Sequence, residues 1–206
     1  MINLLYPSTR TRMNCKYLLA ILTVLAACKG PSYKHPRALI RTELGDIIIE
    51  IYPDKAPKTA AAFLAYADSG FYKNSNFYRV LNDENQPSDA PKAELVQGGI
   101  WKTNYKKAAG LPGTPHETTQ QTGILHKNGV ISMARQAPGT ATTEFFICVG
   151  DQPGFDYGGD NNPDKQGYAA FGKVIAGMEV VRSIYRRRED NQAFDPPVVI
   201  IQIKRM

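Results

Sequence analysis

Cysteine is scarce in this chain: three in 206 residues, Cys15, Cys28 and Cys148. That excludes the disulfide framework on which small secreted domains depend, and a chain of this length can bury a core without one. Histidine is equally sparse, and His35, His116 and His126 lie too far apart for metal-ligand spacing. Asp160-Asn161-Asn162-Pro163-Asp164 begins like a calcium loop, but Lys165 stands where glycine belongs and Phe171 where the final glutamate belongs. No glycine-rich phosphate loop is present, and no serine sits in the strand-to-helix elbow of a nucleophilic triad. The residues therefore call for no metal and no cofactor. Concentrated charge is also missing. The net charge is +6, yet Arg10, Arg12 and Lys16 in an acid-free leader supply half of it. The remainder is only mildly basic, which gives no case for nucleic acid.

What is present begins with that leader. Residues 1–27 place Arg10, Arg12 and Lys16 ahead of an apolar run, 17–27, that is too short to span a bilayer comfortably. The run ends in Leu25-Ala26-Ala27-Cys28, which resembles a bacterial lipoprotein box with Cys28 as the acylated residue. Translation from Met13 would give the same signal. The expected organisation is a signal peptide over 1–27, a tether over 28–37 and a folded domain over 38–206. Lys29 after Cys28, in place of an aspartate, points to the periplasmic face of the outer membrane.

Within the domain, period-two alternation predicts strands at 38–43 and 46–52, joined by a tight turn at Leu44-Gly45. Pro57 opens a helix whose Ala60, Phe63, Leu64 and Ala67 share one face, and Gly70 ends it. Short strands follow at 77–80 and 95–99, separated by a polar loop over 82–94. A long irregular stretch, 101–129, leads to two apolar runs, 130–135 and 142–149. The second run carries Phe145 and Phe146 side by side. Neighbours in a strand face opposite ways, so one enters a core while the other lines a groove. A strand at 170–174, a helix opening at Gly177-Met178-Glu179 and a last strand at 198–204 complete the pattern. Arg186-Arg187-Arg188 falls at that helix's C-terminal end, where the helix dipole accounts for it. Eight short strands, two helices and no βαβ alternation predict a mainly β fold: a closed eight-stranded antiparallel barrel capped by two helices. The only tryptophan, Trp101, lies far from the first strand, which argues against a lipocalin-like carrier barrel.

Six motifs then carry a resemblance. Phe77-Tyr78-Arg79-Val80, Gln97-Gly98-Gly99, Ile131-Ser132-Met133-Ala134-Arg135, Thr143-Glu144-Phe145-Phe146-Ile147-Cys148, Phe171-Gly172-Lys173-Val174 and Gly177-Met178 occur in the order seen in cyclophilins. From about residue 38 to 206 the chain resembles that family of peptidyl-prolyl cis-trans isomerases. The resemblance implies a proline-containing polypeptide as substrate, a monomer, and no cofactor. It implies Arg79 as the catalytic residue and Gln97 as its neighbour. Leu95, Phe146 and Phe155 would wall the proline pocket, with Tyr168 at its rim in a position where histidine is common. Ala134 and Arg135 would border the groove for substrate backbone, while Phe145 and Phe171 pack the core.

The departures from the pattern are specific. Glu94 stands where the family usually has a pocket phenylalanine, and the spacing from Arg79 to Gln97 is about ten residues longer than usual. Either the pocket has lost a wall or the insertion supplies one. Glu144 replaces a glutamine beside the site, where a carboxylate would pair with Arg79 and compete with substrate, or hold the guanidinium in place. Gly154 stands near a tryptophan that grips cyclosporin in some members, which predicts weak drug binding. Two readings follow: an active, membrane-tethered isomerase for envelope proteins, and a peptide-binding or chaperone module with weakened catalysis.

Overall fold

Isoleucines alternate inward along the first hairpin. In a computed structural model, which describes residues 34–206, β1 (Arg37–Thr42) and β2 (Gly45–Ile51) pair antiparallel with Thr42 opposite Gly45. Ala38, Ile40, Ile47, Ile49 and Ile51 are fully buried on one face. The leader, Cys28 and residues 28–33 of the tether lie outside the described residues. Further strands are β3 (Ser75–Leu81), β4 (Leu95–Gly99), β5 (Val130–Met133), β6 (Phe145–Cys148), β7 (Ala169–Ala176), β8 (Glu189–Asp190) and β9 (Ala193–Arg205). Their order is β1-β2-β7-β5-β6-β4-β3-β9, and β9 pairs back to β1. Eight antiparallel strands thus close into a barrel, which leaves no long edge open to other chains. His35–Met206 forms one compact unit.

Helix α1 (Pro57–Asp68) buries the face expected of it, with Ala60, Phe63, Leu64 and Ala67 inward. Phe63 lies 4.9–5.7 Å, ring centre to centre, from Tyr72, Phe145 and Phe171. Two single-turn helices, α2 (Tyr105–Ala109) and α3 (Thr119–Thr122), break up the stretch read as irregular. Helix α4 (Met178–Tyr185) turns Val181 and Ile184 inward.

Two features differ from the sequence reading. A two-residue strand, β8, joins the start of β9, and β9 begins at Ala193, well before residue 198. Pro196 and Pro197 explain the miss, since they lack ladder donors and read as a break; the Asp195-Pro196 bond is cis.

The other difference sets up the site. On β3, Phe77 opposes Gly98 of β4 while Arg79 opposes Gln97, so Tyr78 is an extra, bulged residue. The pairing with β9 shifts at the same place. A bulge re-aims the side chains that follow it. Phe77 and Val80 enter the barrel core, whereas Leu81 joins a second apolar cluster outside it. Tyr78 and Arg79, consecutive in sequence, both serve the outer face.

The N-terminus of α1 receives its cap from far away. Ala56 at the cap position offers no side-chain acceptor. The buried carboxylate of Glu117 accepts from the Lys58 amide at 3.1 Å, the Thr59 amide at 2.8 Å and the Thr59 hydroxyl at 2.6 Å. A carboxylate at this end also meets the positive end of the helix dipole. Glu117→Ala is expected to lower the unfolding free energy by about 1–3 kcal/mol, read as a lower urea midpoint at unchanged slope. Glu117→Gln should lose less, and an unshifted midpoint in Glu117→Ala would contradict the assignment.

Candidate active site

Strand pairing places the site residues in rows on the outside of the barrel. Arg79 opposes Gln97, Gln97 opposes Phe146, and Phe146 opposes Ser132, across four strands. In the next row Leu81 opposes Leu95, and Leu95 opposes Cys148. Phe145 points the other way and packs on Tyr72 and Phe77 in the core, as the alternation requires. Cys148 is fully buried, and burial pushes its thiol pKa up.

Above these rows lies a cavity of about 230 Å³ walled by Arg79, Leu81, Leu95, Phe146, Phe155 and Tyr168. The rings of Phe146, Phe155 and Tyr168 meet edge to face, with centres 5.1–5.2 Å apart. That arrangement suits their quadrupoles and makes a rigid apolar corner. The corner has the size and chemistry for a small ring, and the Arg79 and Arg135 side chains stand at its edge.

Arg79 is gripped on two sides by neutral amides. Its Nη1 donates to Gln97 Oε1 at 3.2 Å, while its Nε and Nη2 donate to Gln192 Oε1 at 3.1 and 2.7 Å. Neither partner carries charge, so the guanidinium is oriented without being neutralised. Gln192 is one the sequence reading missed; it sits in the turn between β8 and β9, next to Ala193, which opposes Arg79. Its Nε2 donates to the carbonyl of Asn85, in the middle of the inserted loop. The insertion is itself well tied: Asn82 caps its first turn, and Lys92 donates to the carbonyls of Asp83, Gln86 and Pro87.

The two glutamates behave differently from expectation. Glu144 does not pair with Arg79. Its buried carboxylate accepts from the Tyr78 hydroxyl at 2.7 Å, the Ile100 and Trp101 amides at 2.9 and 3.0 Å, and the Thr143 hydroxyl at 3.0 Å. The physical reason is the end of β4, where two backbone N–H groups need an acceptor. Gly99 makes room, because a Cβ there would collide with the Glu144 carboxylate. Burial raises the Glu144 pKa, against the pull of these hydrogen bonds. Glu94 accepts from the Tyr185 hydroxyl at 2.5 Å and is absent from the cavity wall. Leu81, next to the insertion, lines the cavity, and Ala93 on the insertion's other side belongs to the same apolar cluster as Leu81, Leu95, Phe146 and Phe155.

A wider groove of about 710 Å³ adjoins the cavity and shares Gln97, Ala134 and Arg135 with it. The Arg135 guanidinium is committed: it makes a two-pronged pair with Asp164 at 2.7 and 2.9 Å and donates to the Gly167 carbonyl. It also lies 5.3 Å from the Tyr168 ring centre. Arg135 therefore fixes the loop that delivers Tyr168, and its hydrogen bonds pull the Asp164 carboxyl down to about 2. Asp160 is paired with Lys165. Asn161 fills the space that a side chain at Gly154 would need, and it donates to the Pro91 carbonyl of the insertion.

Behind the cavity floor is a group the sequence gave no sign of. His126 contacts Asp156 Oδ1 through Nδ1 at 2.8 Å and Ser132 Oγ through Nε2 at 3.0 Å, and its ring stacks on Phe146. These are the distances of a Ser-His-Asp triad. Ser132 is fully buried beneath Phe146, however, so no acyl group can reach its hydroxyl. The group is a buttress for Phe146.

With this geometry in hand, similarity to known proteins is informative. The family model described as cyclophilin type peptidyl-prolyl cis-trans isomerase/CLD matches residues 37–205. Peptidyl-prolyl cis-trans isomerase B of Escherichia coli is 36% identical over 144 residues, covering 69% of this chain and 80% of that protein. Peptidyl-prolyl cis-trans isomerase A of Dickeya dadantii is 33% identical over 184 residues, covering 87% and 88%. A cyclophilin-type isomerase of Cryptosporidium parvum superposes with a TM-score of 0.64 at 22% identity, over 84% of this chain and 98% of that one. The same protein was also solved in the presence of the dipeptide Ala-Pro, with a TM-score of 0.62 over 82% and 97% at 23% identity. The family match and the bacterial relatives agree with the barrel, and the chain belongs to the cyclophilin-type peptidyl-prolyl cis-trans isomerases.

Proposed function

We propose that this isomerase turns X–Pro bonds of cell-envelope proteins by hydrogen-bonding the proline nitrogen from Arg79. The barrier to rotation is about 18–20 kcal/mol because the amide C–N bond is partly double. Uncatalysed X–Pro bonds therefore take tens to hundreds of seconds. No bond has to break; the enzyme has only to bind the twisted amide better than the planar one. Twisting localises a lone pair on the proline nitrogen, which accepts a hydrogen bond that the planar amide cannot. A guanidinium suits that task because it stays charged and donates in fixed directions.

The observation that carries this reading is the placing of Arg79 at the edge of the apolar corner, held by two neutral amides. The proline ring fits against Phe146, Phe155 and Leu95, and Tyr168 and Leu81 close the sides. Substrate backbone continues past Ala134 into the wider groove. The weak-catalyst reading rested on Glu94 and Glu144, and both carboxylates are occupied away from Arg79. That the Cryptosporidium relative was solved in the presence of the dipeptide Ala-Pro is in keeping with a proline-containing ligand.

For location we propose a monomer tethered through a lipidated Cys28 to the periplasmic face of the outer membrane. The support is the basic, apolar leader ending in Leu25-Ala26-Ala27-Cys28 with Lys29 after it. Fatty-acid label supplied to cells making the full chain should appear on it and vanish in Cys28→Ala; label that persists refutes the anchor.

The catalytic test is isomerisation of a short Ala-Pro peptide. The native chain should accelerate it well above background, and Arg79→Ala should lower kcat/KM by about 10²–10³-fold, the usual cost of losing one transition-state donor. A native chain with no rate above background would favour the binding-module reading. Equal rates for the two proteins would remove Arg79 from the mechanism.

A further inference from the structure

The hydrogen bonds around Arg79 have a direction, and that direction is set three residues away. Gln97 presents Oε1 to Arg79 at 3.2 Å and Nε2 to the Tyr78 hydroxyl at 2.8 Å. An amide can turn over and exchange these two ends. If it did, an N–H would face the guanidinium and Arg79 would lose an acceptor. What prevents the turn is the state of Tyr78. Its hydroxyl has one proton, and a carboxylate can only accept. Because Tyr78 donates to Glu144 Oε2 at 2.7 Å, its oxygen is left as an acceptor, and only Nε2 of Gln97 can serve it.

We propose that Glu144 and Tyr78 are positioning residues for catalysis: the Glu144 carboxylate, through the Tyr78 hydroxyl, orients the Gln97 amide so that its oxygen holds Arg79. The inference rests on the reading of Arg79 as the donor to the proline nitrogen. It gives the departure at position 144 a purpose, since a glutamine there works differently. Glu144 Oε1 accepts from the Ile100 and Trp101 amides and the Thr143 hydroxyl. A glutamine would keep its oxygen on those three donors, so its Nε2 would face Tyr78. The Tyr78 hydroxyl would then accept from residue 144 and send its proton towards Gln97. Gln97 would turn over, and Arg79 would face an N–H. The chain Arg79, Gln97, Tyr78, Glu144 would reverse with almost no change in shape.

Protonation of Glu144 has the same consequence, because a protonated Oε2 donates to Tyr78. The titratable and charged groups around this carboxylate are Tyr78 on β3, Tyr72 just before it, and Lys102 and Arg135 on the wall of the adjoining groove. Arg79 lies beyond Gln97. Burial raises the pKa of Glu144, so the loss of orientation falls at a higher pH than for an exposed glutamate.

The test measures kcat and KM for an Ala-Pro peptide with the native full chain, Glu144→Gln, Tyr78→Phe and Arg79→Ala, across the acid range. Urea midpoints at each pH confirm folding. Glu144→Gln and Tyr78→Phe should each lower kcat by about tenfold or more, the weight of a hydrogen bond to a charged group, with KM little changed. The native kcat should fall as Glu144 protonates, and the Glu144→Gln profile should be flat over that range. Should Glu144→Gln fail to fold, Tyr78→Phe carries the same prediction, since it removes the hydroxyl that links Glu144 to Gln97. A kcat within twofold of native in both variants, or a Glu144→Gln profile that keeps the native acid limb, overturns the proposal. Activity retained in Arg79→Ala instead overturns the donor reading, which keeps the two failures apart.

Discussion

The bulge at Tyr78 is the constraint on which the site depends. A regular strand would put Tyr78 and Arg79 on opposite faces, and one of them would be lost to the barrel core. One extra residue on β3 lets both face outward while Phe77 and Val80 still pack inside. Arg79 then stands directly opposite Gln97, and the Tyr78 hydroxyl reaches the other end of the same amide. Arg79, its orienting amide and the group behind that amide all come from two adjacent strands. Strands carry Arg79 and Gln97, one turn adds Gln192, and a closed barrel resists the small displacements to which such geometry is sensitive.

Around this pair the molecule uses neutral groups to hold a charge and charged groups to hold neutral ones. Gln97 and Gln192 orient the guanidinium without neutralising it. Asp164 fixes Arg135, which fixes the loop carrying Tyr168. Asp156 fixes His126, which supports Phe146 from beneath. The Arg135–Asp164 ion pair therefore sits at the cavity margin and the Asp156–His126 hydrogen bond behind it, and the apolar corner is kept free of competing carboxylates.

Much of this was legible in the sequence. The isoleucine alternation of 46–52, the helix face of Phe63 and Leu64, and the opposed duties of Phe145 and Phe146 follow from periodicity alone. The family motifs brought Arg79, Gln97, Leu95, Phe146, Phe155 and Tyr168 to one place on paper, and the cavity lining contains all of them. What was not legible depends on broken periodicity or distant pairing. A bulge cannot be seen in a period-two pattern, so Tyr78 was quoted in a motif without a role. Pro196 and Pro197 hid the start of β9 and with it Gln192. On sequence alone His126 has no partner in view, and Glu144 reads as a substrate-site carboxylate beside Arg79. In each case the partner is distant in sequence, Glu144 for Tyr78, Arg79 for Gln192 and Asp156 for His126, and local sequence has no information about it.

Geometry at Arg79, and not charge alone, is what the proposed mechanism relies on to lower the barrier. Arg79→Lys separates the two, since lysine keeps the charge but lacks the planar fork. The direct measurement is the cis/trans exchange rate of an enzyme-bound Ala-Pro peptide by NMR exchange spectroscopy. Arg79→Lys is expected to bind the peptide still but to exchange it about 10²-fold more slowly, close to the loss of the donor itself. Exchange at the native rate in Arg79→Lys would contradict it.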